Sequence, residues 1–298
     1  MEAKNLGKRG RICMLLVTLL VGFGAGCAVS QKKAVPPSQI RPALEATKAQ
    51  LLSNYDQQAK AIRSLNASVT LVPTAGSTYT GVIEQYHEVN AFILAEQPAK
   101  IRVIGQAPVV AKDVFDMVSD GKMFRIYIPS KHKFIIGSTE MRRTAQKPIE
   151  NLRPQHLVDA LFWPVIPATA TVVFEESNQP PERSYILTLL RHSGDGWEVE
   201  RKIWFDRADL SIARIEIFAG GGRLVSDIRY ADWQPVADGA KYPQHIWLVR
   251  PHDDYQLEIR FKKLAVNEAI ADDRFELQQP AGTDLVRLDE EGKEQPQL

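Results

Sequence analysis

The chain contains 298 residues, with 37 Lys and Arg against 36 Asp and Glu, so its net charge is +1. A charge so close to zero gives no basic field for a nucleic acid. The apolar fraction of 44% and the charged fraction of 24% are typical of a globular protein. The two cysteines, Cys13 and Cys27, are too few for a disulfide framework or a thiolate zinc site.

Residues 1–26 have the pattern of an export signal. Four basic residues among the first eleven precede an uncharged apolar run over residues 12–23, which is too short to span a bilayer because that needs about 20 apolar residues. Residues 24–26 are small and precede Cys27, which resembles a bacterial lipobox except that Gly24 stands where Leu is usual. This predicts a lipoprotein signal peptide that is removed before a lipid-modified Cys27. The alternative is an ordinary cleaved signal followed by an incidental cysteine.

Residues 27–41 are predicted to be the lipidated cysteine and a polar spacer that contains Pro36 and Pro37. A lipidated cysteine, for example one carrying palmitate, anchors the chain to a membrane of the bacterial cell envelope with the domain facing the periplasm. Ala28, rather than Asp, follows Cys27, and this favours the outer membrane over the inner one. With Cys27 modified, the mature chain offers no free thiol for catalysis.

The next elements are predicted from the periodicity of apolar residues. A helical period indicates an amphipathic helix from about residue 42 to 63, and a second short helix is expected over residues 154–162. The remaining segments alternate apolar with polar residues, as about twelve strands would. Ser119-Asp120-Gly121 and Gly220-Gly221-Gly222 are predicted to form hairpin turns. Residues 285–298 are predicted to be a charged, disordered tail.

Short strands joined by turns favour antiparallel neighbours, and an open sheet of this size tends to curl. The two helices are few for the apolar face that they must cover. The predicted fold over residues 42–284 is therefore mainly β (α+β). It is a half-open antiparallel β-barrel of about 11–12 strands, with helices lidding a concave apolar face. The pattern alone leaves open a closed sandwich or barrel that has a packed core and no cavity.

The run over residues 117–129, MVSDGKMFRIYIP, resembles a hairpin of the LolA/LolB-like superfamily. That superfamily includes periplasmic lipoprotein carriers, their outer-membrane lipoprotein receptor and related lipid-binding lipoproteins. Later segments resemble the same family in the same order, at residues 205–206, 212–215, 228–233 with 242–243, 266–267, 275–277 and 280–282. The resemblance covers residues 42–285 and implies a half-open barrel that binds acyl groups under a helical lid.

The resemblance also implies two kinds of functional residue. An exposed apolar loop residue, as in the receptor, would be Val109 or Val110, unless these valines begin the next strand. The candidate cavity residues are apolar members of alternating strands, for which ordinary core packing is an equal alternative: Val69, Leu71, Phe115, Met117, Phe124, Ile126, Ile203 and Phe205. Arg142 and Arg143 are considered for a lipid headgroup, with a solvated loop as the alternative.

The sequence contains no HExxH, GxSxG, P-loop or GxGxxG motif, so neither catalysis, a cofactor nor a metal is predicted. The predicted function is the binding of lipid or lipoprotein acyl chains in an apolar cavity. The chain would help to deliver them to the outer membrane, with a periplasmic carrier protein as a possible partner. The alternative is an envelope sensor or interaction lipoprotein that uses the same fold to bind a protein.

Overall fold

The computed structural model describes residues 43–77, 82–109, 112–141, 151–178, 183–194 and 196–288. The predicted signal peptide, Cys27, the spacer, Val110, Arg142, Arg143 and residues 289–298 lie outside these ranges. The described part contains two α-helices, α1 (Lys48–Ala61) and α2 (Pro154–Leu161).

The strands form one sheet. They are β1 Ser64–Ser77, β2 Val82–Gln85, β3 Val89–Glu96, β4 Lys100–Gln106, β5 Asp113–Ser119, β6 Met123–Ile128, β7 Lys133–Ser138, β8 Thr171–Ser177, β9 Ser184–Ser193, β10 Gly196–Asp206, β11 Ile212–Ala219, β12 Arg223–Pro235, β13 Lys241–Arg250, β14 Tyr255–Val266 and β15 Asp284–Arg287. The described residues thus make fifteen strands, more than the 11–12 predicted. The short β2 and β15 have only four residues each, too few for alternation to reveal them.

The sheet is open. Its order is β15-β7-β6-β5-β4-β3-β1-β14-β13-β12-β11-β10-β9-β8, with β2 paired to β1, so that β15 and β8 are its two edges. Neighbours are antiparallel except β15 and β7, which are parallel. The predicted mainly β fold, a half-open antiparallel sheet with few helices, is confirmed, and the fully closed alternative is not observed.

Both predicted turns are present, since residues 120–122 join β5 to β6 and Gly220–Gly222 joins β11 to β12. The prediction that the chain is disordered from residue 285 is wrong for residues 285–287. These residues form β15 beside β7, and Leu288 continues the contact by donating its backbone N–H to the Ile136 carbonyl.

The first helix is shorter than predicted because Thr47 caps it. The Thr47 hydroxyl accepts the Gln50 backbone N–H (3.3 Å), and the Gln50 side chain accepts the Thr47 N–H (2.8 Å). This capping box begins the helix at Lys48 rather than near residue 42. The second helix begins with Pro154 in its first turn, as predicted.

One face of the sheet carries the core, and it is called the inner face below. A row of cross-strand neighbours on β1, β3, β4, β5 and β6 consists of Ala67, Ile93, Val103, Met117 and Ile126. A row on β12, β11, β10 and β9 consists of Ile228, Ile215, Ile203 and Leu187. The row Leu71, Ile259, Ile246 and Tyr230 connects the two halves across β14 and β13. Both helices pack on this face.

Candidate functional site

The eight predicted cavity residues all lie on the inner face, because the strand register gives them the same side of the sheet. Six are buried and two, Phe115 and Ile126, are partly buried against the same core. Seven of them belong to the core cluster or pack against it, whereas Phe124 is buried beside Gly137 outside that cluster. Contact with a ligand stays a prediction for each of them.

The inner face is covered by the two helices and by the irregular segment at residues 162–166. The two helices are held to very different extents. Helix α2 buries six of its eight residues, whereas α1 buries three of its fourteen, namely Leu51, Tyr55 and Ala59. In this arrangement α2 is part of the core, and α1 is a cover attached to it.

Two of the predicted cavity residues, Phe115 and Phe124, have rings that lie over glycines of neighbouring strands. A Cβ atom added to Gly105 would lie 2.3 Å from the Phe115 ring, and one added to Gly137 would lie 2.7 Å from the Phe124 ring. Each glycine is the direct cross-strand partner of its ring. The rings therefore fill the space of a missing side chain on the next strand.

A pocket of about 380 Å³ opens beside α1. Its walls come from α1, from the β10–β11 turn and from the β12–β13 turn. Phe205 and Trp233 supply aromatic surface, whereas Asn54, Gln57 and Lys241 make part of the lining polar. Of the eight predicted residues, only Phe205 lines this pocket.

Three aromatic residues connect the pocket wall to the interior. Trp233 stacks on Trp163 with 5.6 Å between ring centroids, and Tyr230 meets Trp163 edge-on at 5.7 Å. Asp232 has a left-handed backbone (φ 57°), which interrupts the alternation of β12. Tyr230 and Trp233, an odd number of residues apart, therefore reach the same ring.

A charged residue that the sequence reasoning missed lies on the inner face. Arg201 on β10 points to the same side as Ile203 and Phe205, and its cross-strand neighbours are Leu189 and Ile217. Its Nη1 donates to the Tyr55 hydroxyl of α1 (3.4 Å), and that hydroxyl donates to the Pro164 carbonyl (3.1 Å). Burial raises the pKa of Tyr55, and Arg201 opposes this. Residue 201 is two positions from Ile203 and four from Phe205 in the same strand. Alternation along the strand therefore already placed Arg201 on the apolar face.

A second polar group lies where α2 meets β13 and β14. His156 Nδ1 is 2.5 Å from the Tyr255 hydroxyl. Burial, and then the positive charges of Arg250 and Arg153, hold the pKa of His156 well below its usual value. Arg250 is itself paired with Asp253 at 2.7 Å. His156 is therefore a neutral, hydrogen-bonded residue of the core.

Val109 is almost fully exposed (94%) in the turn between β4 and β5. The Ala107 N–H donates to the Lys112 carbonyl across this turn (2.9 Å). Trp197, at the start of β10, lies at the same ends of the strands and is 58% exposed. Two large apolar side chains thus point into solvent at the same end of the strands.

Within the described ranges, no group of three or more His, Cys, Asp or Glu side chains is arranged to hold a metal ion. None of the helices in that part of the chain has the length and apolar character needed to cross a membrane.

The fold and this face define a protein with an open antiparallel sheet whose apolar inner face is lidded by helices. The chain matches no family model and no curated protein. Among solved structures it is similar to a LolA superfamily protein from Nitrosomonas europaea (TM-score 0.48, 14% identity, covering 78% of this chain and 99% of that one). A Vibrio parahaemolyticus domain proposed as an outer membrane lipoprotein-sorting protein has a TM-score of 0.47 at 10% identity, with 76% and 94% covered.

A third similar structure is a DUF1329 family protein from Desulfovibrio piger, with a TM-score of 0.47 at 14% identity and with 76% and 94% covered. The first two structures carry names from the group that the sequence motifs resemble.

Proposed function

We propose that the chain is a lipid-anchored lipoprotein of the bacterial cell envelope that faces the periplasm from the outer membrane. It binds acyl chains of a lipid or lipoprotein on its inner face, helps to deliver them to the outer membrane, and acts by binding without catalysis. The observation that carries the proposal is the continuous apolar face, which extends across both halves of the sheet beneath the two helices of the described chain.

Helix α1 is the part of the cover that we expect to move. Burial of Leu51, Tyr55 and Ala59 stabilises its closed position by about 5 kcal/mol. Its polar contacts, such as Asp56 accepting the Ile166 N–H, add about 1 kcal/mol each. An acyl chain of about sixteen carbons that leaves water contributes roughly 11 kcal/mol. Because these free energies are of similar size, an acyl chain can displace α1 and still be released.

Exposed apolar residues at one end of the strands support a contact with the membrane. Val109 in the β4–β5 turn is proposed to enter the bilayer interface. Trp197, at the same end of the strands, suits that interface because its ring is apolar with one polar N–H. Delivery of an acyl chain needs such an approach, since the chain would otherwise cross water.

Hydrogen exchange measured by mass spectrometry tests the proposal. The full-length Cys27→Ala chain, which has no lipid of its own, is compared with and without palmitate, and acetate serves as the control without an acyl chain. Palmitate should reduce the protection of amides in α1 and leave those of α2 unchanged, because α2 is buried in the core. Unchanged exchange in α1 at saturating palmitate, or an equal loss in both helices, would contradict a movable lid.

A further inference from the structure

The guanidinium of Arg201 is incompletely paired in an apolar place. Its Nε is buried and has no hydrogen-bond acceptor among the described residues. Within the same part of the chain no carboxylate lies within 4 Å of it, and its contact with Tyr55 is long at 3.4 Å. Arg201 is only partly buried as a whole, but a buried N–H that lacks an acceptor carries a desolvation cost. Arg201 is therefore suited to receive an acceptor from outside the protein.

Two further donors beneath the helices share this property. The Tyr230 hydroxyl and the Trp163 indole N–H are buried and face each other. Within the described part of the chain, neither makes a hydrogen bond of ordinary geometry. Tyr230 lies within electrostatic reach of Arg201. All three groups carry a hydrogen to donate, so one oxygen-rich acceptor is the partner that they have in common.

Asp159 and Arg250 are the charged groups beside this cluster. Asp159 on α2 lies within electrostatic reach of Arg201, and burial raises the pKa of its carboxyl group. Arg250 also acts on Asp159, although Arg250 is paired with Asp253 at 2.7 Å. The anionic ligand is therefore favoured by the three donors of Arg201, Tyr230 and Trp163, which lack acceptors among the described residues.

We propose that Arg201, Tyr230 and Trp163 bind the carboxylate of a single-chain anionic amphiphile, a long-chain fatty acid. Its acyl chain would lie along the apolar side chains of Ile203 and Phe205 toward the pocket walled by Trp233. The carboxylate would replace Tyr55 as the partner of Arg201 and so loosen α1. This inference rests on the proposed function and names its ligand class. Charge-assisted hydrogen bonds are about twice as strong as neutral ones. The site would therefore prefer a carboxylate over an uncharged headgroup on the same acyl chain.

The test compares palmitate with hexadecanol, which has the same chain length without the charge. Affinities are measured by titration calorimetry on the full-length Cys27→Ala chain, below the critical micelle concentration. Palmitate should bind at least about tenfold more tightly than hexadecanol. Arg201→Met should remove this preference, whereas Arg201→Lys should keep part of it. Lys202→Met, which removes a charge from the opposite face of the same strand, should leave the preference unchanged.

Equal affinity for palmitate and hexadecanol in the otherwise unchanged chain would overturn the headgroup site and leave acyl binding in place. A preference that persists in Arg201→Met would also overturn it. Loss of both ligands in Arg201→Met, with the circular dichroism of the fold retained, would mean that Arg201 positions α1 and does not bind the headgroup. Failure of the unchanged chain to bind either amphiphile would overturn this inference and the proposed function together.

Discussion

His156 shows how a single residue links the core to pH. Its imidazole is buried against Tyr255, and the charged groups that face it, Arg250 on β13 and Arg153 before α2, are both positive. The carboxylate of Asp253 is engaged by Arg250. Protonation of His156 in the folded state is therefore opposed by burial and by charge together.

We predict that the free energy of unfolding falls as pH drops below about 6.5. There the unfolded chain takes up a proton that folded His156 refuses, so stability is lost by up to about 1.4 kcal/mol per pH unit until the lowered pKa of the folded state is reached. Urea unfolding between pH 7 and pH 5 measures this.

In His156→Leu the free energy of unfolding should depend less steeply on pH. The variant is nevertheless less stable at pH 7, because Tyr255 loses its hydrogen-bond partner. The matched control is His87→Leu, at an exposed histidine, which should keep the slope. An equal pH dependence of the free energy of unfolding in the unchanged chain and in His156→Leu would contradict the claim that folded His156 resists protonation.

At the scale of elements, the hairpin of β6 and β7 depends on the fit of one ring over one glycine. Phe124 and Gly137 are direct partners, and a methyl group on Gly137 would lie 2.7 Å from the ring. Since the ring is buried, it has little room to move away. This pairing fixes the position of β7, which in turn holds the edge strand β15.

Gly137→Ala should therefore destabilise the protein by about 1–3 kcal/mol, measured by chemical denaturation. Adding Phe124→Leu to Gly137→Ala should recover part of the loss in a double-mutant cycle. Gly196→Ala is the control, because nothing lies within 4 Å of its added Cβ atom, and it should change stability by less than about 0.5 kcal/mol. Additive effects of the two substitutions at 124 and 137 would show that the ring does not depend on the glycine.

The face of the sheet on which a residue lies could be predicted from the sequence. The residues that contact or cover that face could not. Alternation placed Phe124, Ile203 and Phe205 correctly on one side, because a strand has a strict period of two. It could not show the roles of Gly105 and Gly137, since the contact of a ring with a glycine depends on the register between strands. Arg201 was missed because a single charged residue in an apolar series gives no indication of its distant partner Tyr55, 146 residues away. The parallel pairing of β15 likewise depends on the path of the chain after β14.

For the whole molecule, the open sheet order explains why a lid is needed at all. With β8 and β15 as unjoined edges, the inner face is closed by α1, α2 and the segment between α2 and β8 rather than by further strands. Helix α2 buries six of its eight residues. Helix α1 buries three side chains and makes seven hydrogen bonds to other parts of the described chain. Helix α2 is thus part of the core, and α1 is the element that we propose exchanges its place with an acyl chain.

Non-covalent binding of an acyl chain is the central claim. It is tested most directly by mass spectrometry of lipids extracted from the full-length Cys27→Ala chain, purified from bacterial cells without detergent. Because Cys27→Ala removes the predicted site of the covalent lipid, any acyl group recovered was bound by the inner face or adhered to the surface. A wash with a high excess of lipid-free albumin removes the adhering lipid. We predict acyl species in stoichiometric amount after the wash. A chain that is free of lipid, and that takes up none when palmitate is added, would contradict the account.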